Sequence, residues 1–213
     1  MVSPNQMTSY RHCLLRLIMA TSIVAIMAYI GAGVEYALHC LLWIAGPLEQ
    51  PPSSRDLAEM QGVPLAFLKK ILSKLEKAGI VEASGGIRGG YRLARPPKRI
   101  SVLDVVDAVE GHKPLFDCQE IRGRCALFEG KPPAWSMRGV CGIHAVMLRA
   151  EKAMRENLAK TSLISLAGSA PSKGPDMSGQ VRDWFADRYA AREDARIAGM
   201  RAPASSRIVD DDA

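Results

Sequence analysis

SSRDLAEMQGVPLAFLKKILSKLEKAGIVEASGGIRGG, residues 53–90, is the stretch from which the fold of this 213-residue chain is read. Two short helical patterns flank Gln61-Gly62-Val63-Pro64, and a glycine-punctuated hairpin follows. Ser53 and Ser54 suit an N-cap, Leu57, Ala58 and Met60 follow as apolar positions, and Gly62 stops the pattern. The second pattern begins at Pro64, a residue suited to a first helical turn. Its apolar residues Leu65, Leu68, Ile71, Leu72 and Leu75 recur at helical spacing. The opposite face carries Ala66, Lys69, Lys70, Ser73, Lys74 and Lys77, small and basic side chains suited to a major groove and its phosphates. Gly79 ends this helix. Ile80-Val81-Glu82-Ala83 and Tyr91-Arg92-Leu93-Ala94 then read as strands, with Arg88 at the tip between them. Supporting helix, recognition helix and hairpin come in the order of a winged helix-turn-helix. The expected fold class is therefore mainly α with a small β-hairpin wing. Its partner would be a double-stranded DNA operator, met through Ser54, Arg55, Pro64, Ala66, Lys69, Lys70, Ser73, Lys74, Arg88 and Tyr91.

A lysine-rich helix face is often only a solvated one, so the distribution of charge matters. From Ser53 to Arg99 there are ten Lys/Arg against four acids, whereas the rest of the chain balances at 18 and 18. The whole formal charge of +6 thus lies in one segment. That is the footprint a polyanion requires, and a uniformly basic surface would not produce it.

Several runs then carry a specific resemblance. They are Gly33-Val34-Glu35-Tyr36-Ala37-Leu38, Ser54-Arg55-Asp56-Leu57-Ala58-Glu59, Ile71-Leu72-Ser73-Lys74-Leu75, Gly89-Gly90-Tyr91-Arg92-Leu93-Ala94 and Ile100-Ser101-Val102-Leu103-Asp104-Val105-Val106. Together they resemble the Rrf2 family of bacterial transcription regulators, over roughly residues 29–166. The resemblance implies a cytoplasmic, homodimeric DNA binder with no membrane segment. In several members, the iron-sulfur regulators and nitric-oxide-sensing repressors among them, a cluster senses iron, redox state or nitric oxide.

Around the reader, Gly33 to Ala45 forms a first helix with Val34, Ala37, Leu38, Leu41, Leu42 and Ala45 on one face; His39 and Cys40 read as surface and packing residues. After the wing, Ser101 is an expected N-cap and Asp104 favours the positive helix end. Val102, Val105, Val106 and Val109 then face inward up to Gly111, closing a winged domain expected over residues 27–111.

Residues 112–141 read as a sensor loop. Three of the five cysteines, Cys118, Cys125 and Cys141, fall there among Gly123, Gly130, Pro132, Pro133 and Gly139, and His144 follows. Thiolates are the usual ligands of iron-sulfur clusters and of zinc. The resemblance matches Cys118, Cys125 and Cys141 to the family's three cysteines, as metal ligands, and His144 to a histidine found in one cluster-binding branch. The spacings here, six and fifteen intervening residues, are longer than the family's usual loop, so residues 128–140 look like an insertion. The cofactor expected is a 2Fe-2S or 4Fe-4S cluster, its type open. A zinc site, a thiol switch in the same fold, or an electron-carrying iron-sulfur protein are the alternatives.

Ile143, Val146, Met147, Ala150, Met154 and Leu158 recur at three and four from Gly142 onward, giving a helix expected over residues 142–167 to pair two copies. Gly168-Ser169-Ala170-Pro171-Ser172 opens a linker. Beyond it Val181, Trp184, Phe185 and Tyr189 suggest a turn or two of amphipathic helix in a largely disordered tail. Residues 1–26 hold a signal-like apolar run interrupted by Arg16. They are read as an upstream extension ahead of a natural start at Met27. There is no phosphate loop, nucleophile elbow or HExxH pair, so no enzyme activity is expected.

Overall fold

The computed structural model describes residues 30–86, 89–169 and 177–201. The expectations for residues 1–26 and for Arg88 lie outside them. Helix α1 (Ala32–Ile44) buries Val34, Ala37, Cys40, Leu41 and Ile44. Its inner face is thus turned from the expected one. Leu38 and Leu42 instead line an open apolar groove of about 730 Å³ shared with Val102, Val106, Leu158 and Leu166. Cys40 is core, as its packing role requires. Burial pushes its thiol up to about 12, against the opposing hydrogen bond from Gln61.

Helix α2 (Ser54–Gln61) starts with a reciprocal cap: the Asp56 N–H donates to Ser53 Oγ at 3.2 Å, and the Ser53 N–H donates to Asp56 Oδ2 at 2.8 Å. Gly62 ends it in the left-handed region at φ 65°, where a side chain would be strained. Helix α3 (Leu65–Lys77) is capped by Pro64 and buries Leu68, Ile71, Leu72 and Leu75. The antiparallel pair β1 (Val81–Ala83) and β2 (Tyr91–Leu93) aligns Val81 with Leu93 and Ala83 with Tyr91. Gly90 seats this wing, because a Cβ there would stand 2.3 Å from the Pro51 carbonyl oxygen. The Tyr91 N–H donates to Pro52 at 3.0 Å beside it.

A 3-10 turn (Pro97–Arg99) leads to α4 (Val102–Glu110), where Ser101 and Asp104 form a second reciprocal cap and Val105, Val106 and Val109 are buried. Helices α1, α3 and α4 and strand β1 enclose the core. Three 3-10 turns (Ile121–Arg124, Ala126–Phe128, Ala134–Met137) carry the chain to α5 (Gly142–Lys160).

The expected 142–167 helix is in fact two. It breaks at Thr161, where the backbone stops propagating the helix and pairs with the start of α4: Val102 N–H donates to Thr161 at 2.9 Å and Leu163 N–H to Ile100 at 2.8 Å. Helix α6 (Leu163–Gly168) then sinks Leu163 into the core.

The tail differs most from expectation. Instead of a turn or two, residues Ser178–Arg201 form a 24-residue helix, α7. Its apolar stripe is too sparse to announce a helix of that length. Phe185 alone is buried, with Val181 and Trp184 partly so against the same core. Ion pairs across more than a hundred residues, Arg188 with Glu59 and Arg192 with Asp56, supply the rest of the docking. No such pair is visible in a linear pattern. Among the described residues, no helix is long and apolar enough to cross a membrane.

Candidate nucleic-acid interface and cysteine loop

Leu68, Ile71, Leu72 and Leu75 of α3 are consumed by the core, so its other face is left to solvent. Ala66, Lys69, Lys70 and Ser73 are exposed along it, Pro64 is exposed at its start, and Arg55 is exposed in the first turn of α2 with Ser54 half-buried beside it. These residues form one surface. Tyr91 is half-buried on the wing, its phenol pKa raised first by burial and then by the charge of Glu76.

Lys74 was grouped with the groove-facing residues, but its amine donates to the Val109 carbonyl at 2.5 Å. It thereby satisfies one of the carbonyls that the last turn of α4 leaves without an internal donor. The helical spacing that put Lys74 on a polar face could not show that this part of the face meets another helix.

The loop is built differently. Cys118 and Cys141 are half-buried, Cys125 is exposed, and none of them is in a disulfide. Cys141 is the N-cap residue of α5. Arg122 bridges the loop: its guanidinium donates to both carboxylate oxygens of Glu120, at 2.5 and 2.9 Å, and to the carbonyls of Arg138 and Gly139, at 3.4 and 3.0 Å. The Glu120 hydrogen bond leads in raising its pKa, with the charges of Glu120, Cys141 and Cys118 adding to it. In turn, Arg122 holds the Glu120 carboxyl below its ordinary range, and the charge of His144 contributes. Phe116 stands 6.1 Å from the His144 ring, and the Leu115 N–H donates to Glu151 at 3.1 Å, tying the loop's entry to α5.

The charges of Cys118 and Cys141 thus act on Arg122 and that of His144 on Glu120, while Cys125 is exposed. The donor types suit a soft metal or a cluster. Among the described residues, however, no three His, Cys, Asp or Glu side chains lie close enough together to hold a metal ion. The loop supplies the donors without bringing them together.

Sequence reading missed Arg122, Glu120 and the clamp in which Arg155 donates to both oxygens of Asp107 at 2.9 and 2.7 Å. Alternating charges on a helix give no sign of which of them has a distant partner.

The profile of the Rrf2 family, described as iron-dependent transcriptional regulators, matches residues 30–169. The chain is 33% identical over 137 residues to protein rrf2 of Nitratidesulfovibrio vulgaris, covering 64% of this chain and 85% of that protein. It is 41% identical over 90 residues to the HTH-type transcriptional regulator IscR of Aliivibrio salmonicida, covering 42% and 54%. Among solved structures, T. potens IscR superposes with a TM-score of 0.50 at 26% identity, over 68% of this chain and 90% of that one. The cysteine regulator CymR of B. subtilis shares the fold, with a TM-score of 0.52 at 23% identity, over 67% and 98%. The chain belongs to the Rrf2 family of winged helix-turn-helix transcriptional regulators.

Proposed function

We propose that this regulator reads its operator as a homodimer and that the occupancy of the cysteine loop sets the geometry of reading. One observation carries the proposal: the loop is joined to the recognition helix by a continuous series of contacts. Cys141 begins α5, Arg155 of α5 grips Asp107 of α4, and the carbonyl of Val109 on α4 accepts from Lys74 of α3. A shift at the loop therefore has a packed route to the DNA face.

Dimerisation follows from α5 itself. None of its nineteen residues is buried, and Ile143 and Val146, on its apolar stripe, are 61% and 51% exposed. Only its later part, at Met154, Arg155 and Leu158, packs on α4. An exposed apolar stripe of that length calls for a partner, and a second copy would set two recognition helices on a palindromic site.

In the loop, Cys118, Cys125 and Cys141 would be the thiolate ligands, with His144 beside them. Bringing Cys125 toward the other two would order the loop, since ligation and folding are coupled in such segments. An iron-sulfur cluster bound there would supply a group that oxygen, nitric oxide or iron shortage can alter or remove. Arg122, tied to Glu120 and to the carbonyls of Arg138 and Gly139, would hold the stretch that carries Cys118 to the one that leads into Cys141.

Protein purified without oxygen tests this reading. The parent chain is expected to contain matched iron and sulfide and to change its operator affinity on exposure to nitric oxide or oxygen. Cys118→Ser with Cys125→Ser should lose both the metal and the response, while still binding duplex DNA. If the double variant responds like the parent, the sensing role of the loop is wrong and the DNA-binding role stands. A second reading, a thiol switch on the same loop, is favoured by the exposure of Cys125 and by the separation of the three thiols. It predicts a response to oxidant in metal-free protein.

A further inference from the structure

Helix α7 lies beyond the residues the family profile matches, yet it docks beside the DNA-binding surface. It leaves a cleft of about 450 Å³ against α2 and the start of α3. The winged domain lines this cleft with Arg55 and Lys69, and also with Asp56 and Glu59. By themselves those four side chains balance. Helix α7 adds Arg188 and Arg192, which pair with Glu59 and Asp56, and it faces the remaining space with Ala191 and Ala195. The cleft therefore holds four guanidinium or ammonium groups against two carboxylates.

We infer that α7 extends the DNA-binding surface, and that the cleft between α7 and α2 takes a backbone phosphate of the bound duplex. The inference rests on the DNA-binding role already given. Four features of the structure carry it. Arg55 and Lys69, both on the DNA-facing surface, reach into the cleft. The Asp56 side chain is 6% exposed and committed both to the α2 cap and to Arg192, so its charge is spent locally. Ala191 and Ala195 leave room where larger side chains would close it. With α7 docked, Arg55, Ala66, Lys69, Lys70 and Ser73 all remain exposed, so the helix flanks the reading surface and does not cover it. The cleft walls of the winged domain are balanced in charge, and the two arginines of α7 make the cleft net positive, as a phosphate requires.

The test uses the full chain and places charge in the cleft while keeping all four residues of the two ion pairs. Ala191→Glu and Ala195→Glu are compared with Ala190→Glu, an exposed position on the same helix that does not line the cleft. The measurement is affinity for a mixed-sequence DNA duplex about three helical turns long, over a salt series. The cleft variants should bind about three- to tenfold more weakly than the control, with the logarithmic salt slope reduced by about one; Ala195→Lys should move both the other way. If cleft and control variants bind alike, α7 is no part of the interface. If the glutamate variants bind more tightly, α7 is a mask over it. Either result overturns the inference and leaves the DNA-binding role intact. Failure of the parent chain to bind duplex at any salt would overturn both.

Discussion

The winged domain and the cysteine loop are neighbours in the chain built on opposite principles. Up to Gly111 nearly every element closes on itself: two reciprocal caps start helices, glycines with positive φ end them, and the apolar residues of α1, α3 and α4 meet in one core. Between Gly111 and Gly142 the chain buries one side chain, Ser136, and leaves Leu127 88%, Trp135 69% and Ile121 67% exposed. Two residues there other than glycine, Glu120 and Glu129, take positive φ. The difference teaches where this molecule can move. A region with a core resists displacement, whereas one held by an Arg–Glu bridge can be reordered by whatever binds its cysteines.

Thiol chemistry should separate the two regions most strongly. At about 12, Cys40 is thiolate to only roughly one part in ten thousand at pH 8, and it is fully buried. Exposed Cys125 should be alkylated at least about a thousandfold faster, read by mass spectrometry of peptides from native protein. Comparable rates would mean that α1 opens as freely as the loop.

Next comes packing. Leu72→Ala, at a fully buried site, should lower unfolding free energy by about 2 to 5 kcal/mol, whereas Leu127→Ala should change it by less than about 0.5 kcal/mol. Denaturant titration decides, and a large effect at Leu127 would show that the loop has a core of its own.

The smallest effect concerns pH. The Glu110 carboxyl is held below its ordinary range, first by the hydrogen bond from Lys113, then by the Gly31 N–H and the charges of Lys113 and Lys74. A depressed carboxylate stabilises the fold above its unfolded pKa, and that contribution disappears as pH falls through the folded value. Glu110→Gln should therefore cost a fraction of a kcal/mol near pH 7, after solvent screening, and match the parent once the pH has fallen below the folded value. A gap that persists in acid would assign the effect to packing.

Local patterns carried the winged domain. Helical spacing in α3, serine caps at Ser53 and Ser101, glycine stops at Gly62 and Gly79 and the wing's paired glycines each depend on residues within a turn of one another. Their reading from sequence agrees with the structure. Such features are legible because their energies are set by neighbours in the chain. Charge localisation was legible for the same reason, and it agrees with the DNA-binding role that membership of the family carries.

What needed the tertiary structure involves partners far apart in sequence. That Lys74 serves α4, that Arg155 clamps Asp107 and that α7 returns to pair with Asp56 and Glu59 depend on which faces meet after folding. Composition at residues 168–175 suggested a chain leaving the domain, yet the helix beyond it comes back through one buried phenylalanine and two ion pairs. The sequence alone determined which apolar residues of α3 and α4 would be buried and which face of α3 would be left to solvent, since burying apolar side chains at a fixed helical period admits few arrangements. Only the tertiary structure decided which charges would be paired across the chain, because a Coulomb interaction depends on distance in space and not on separation along the chain.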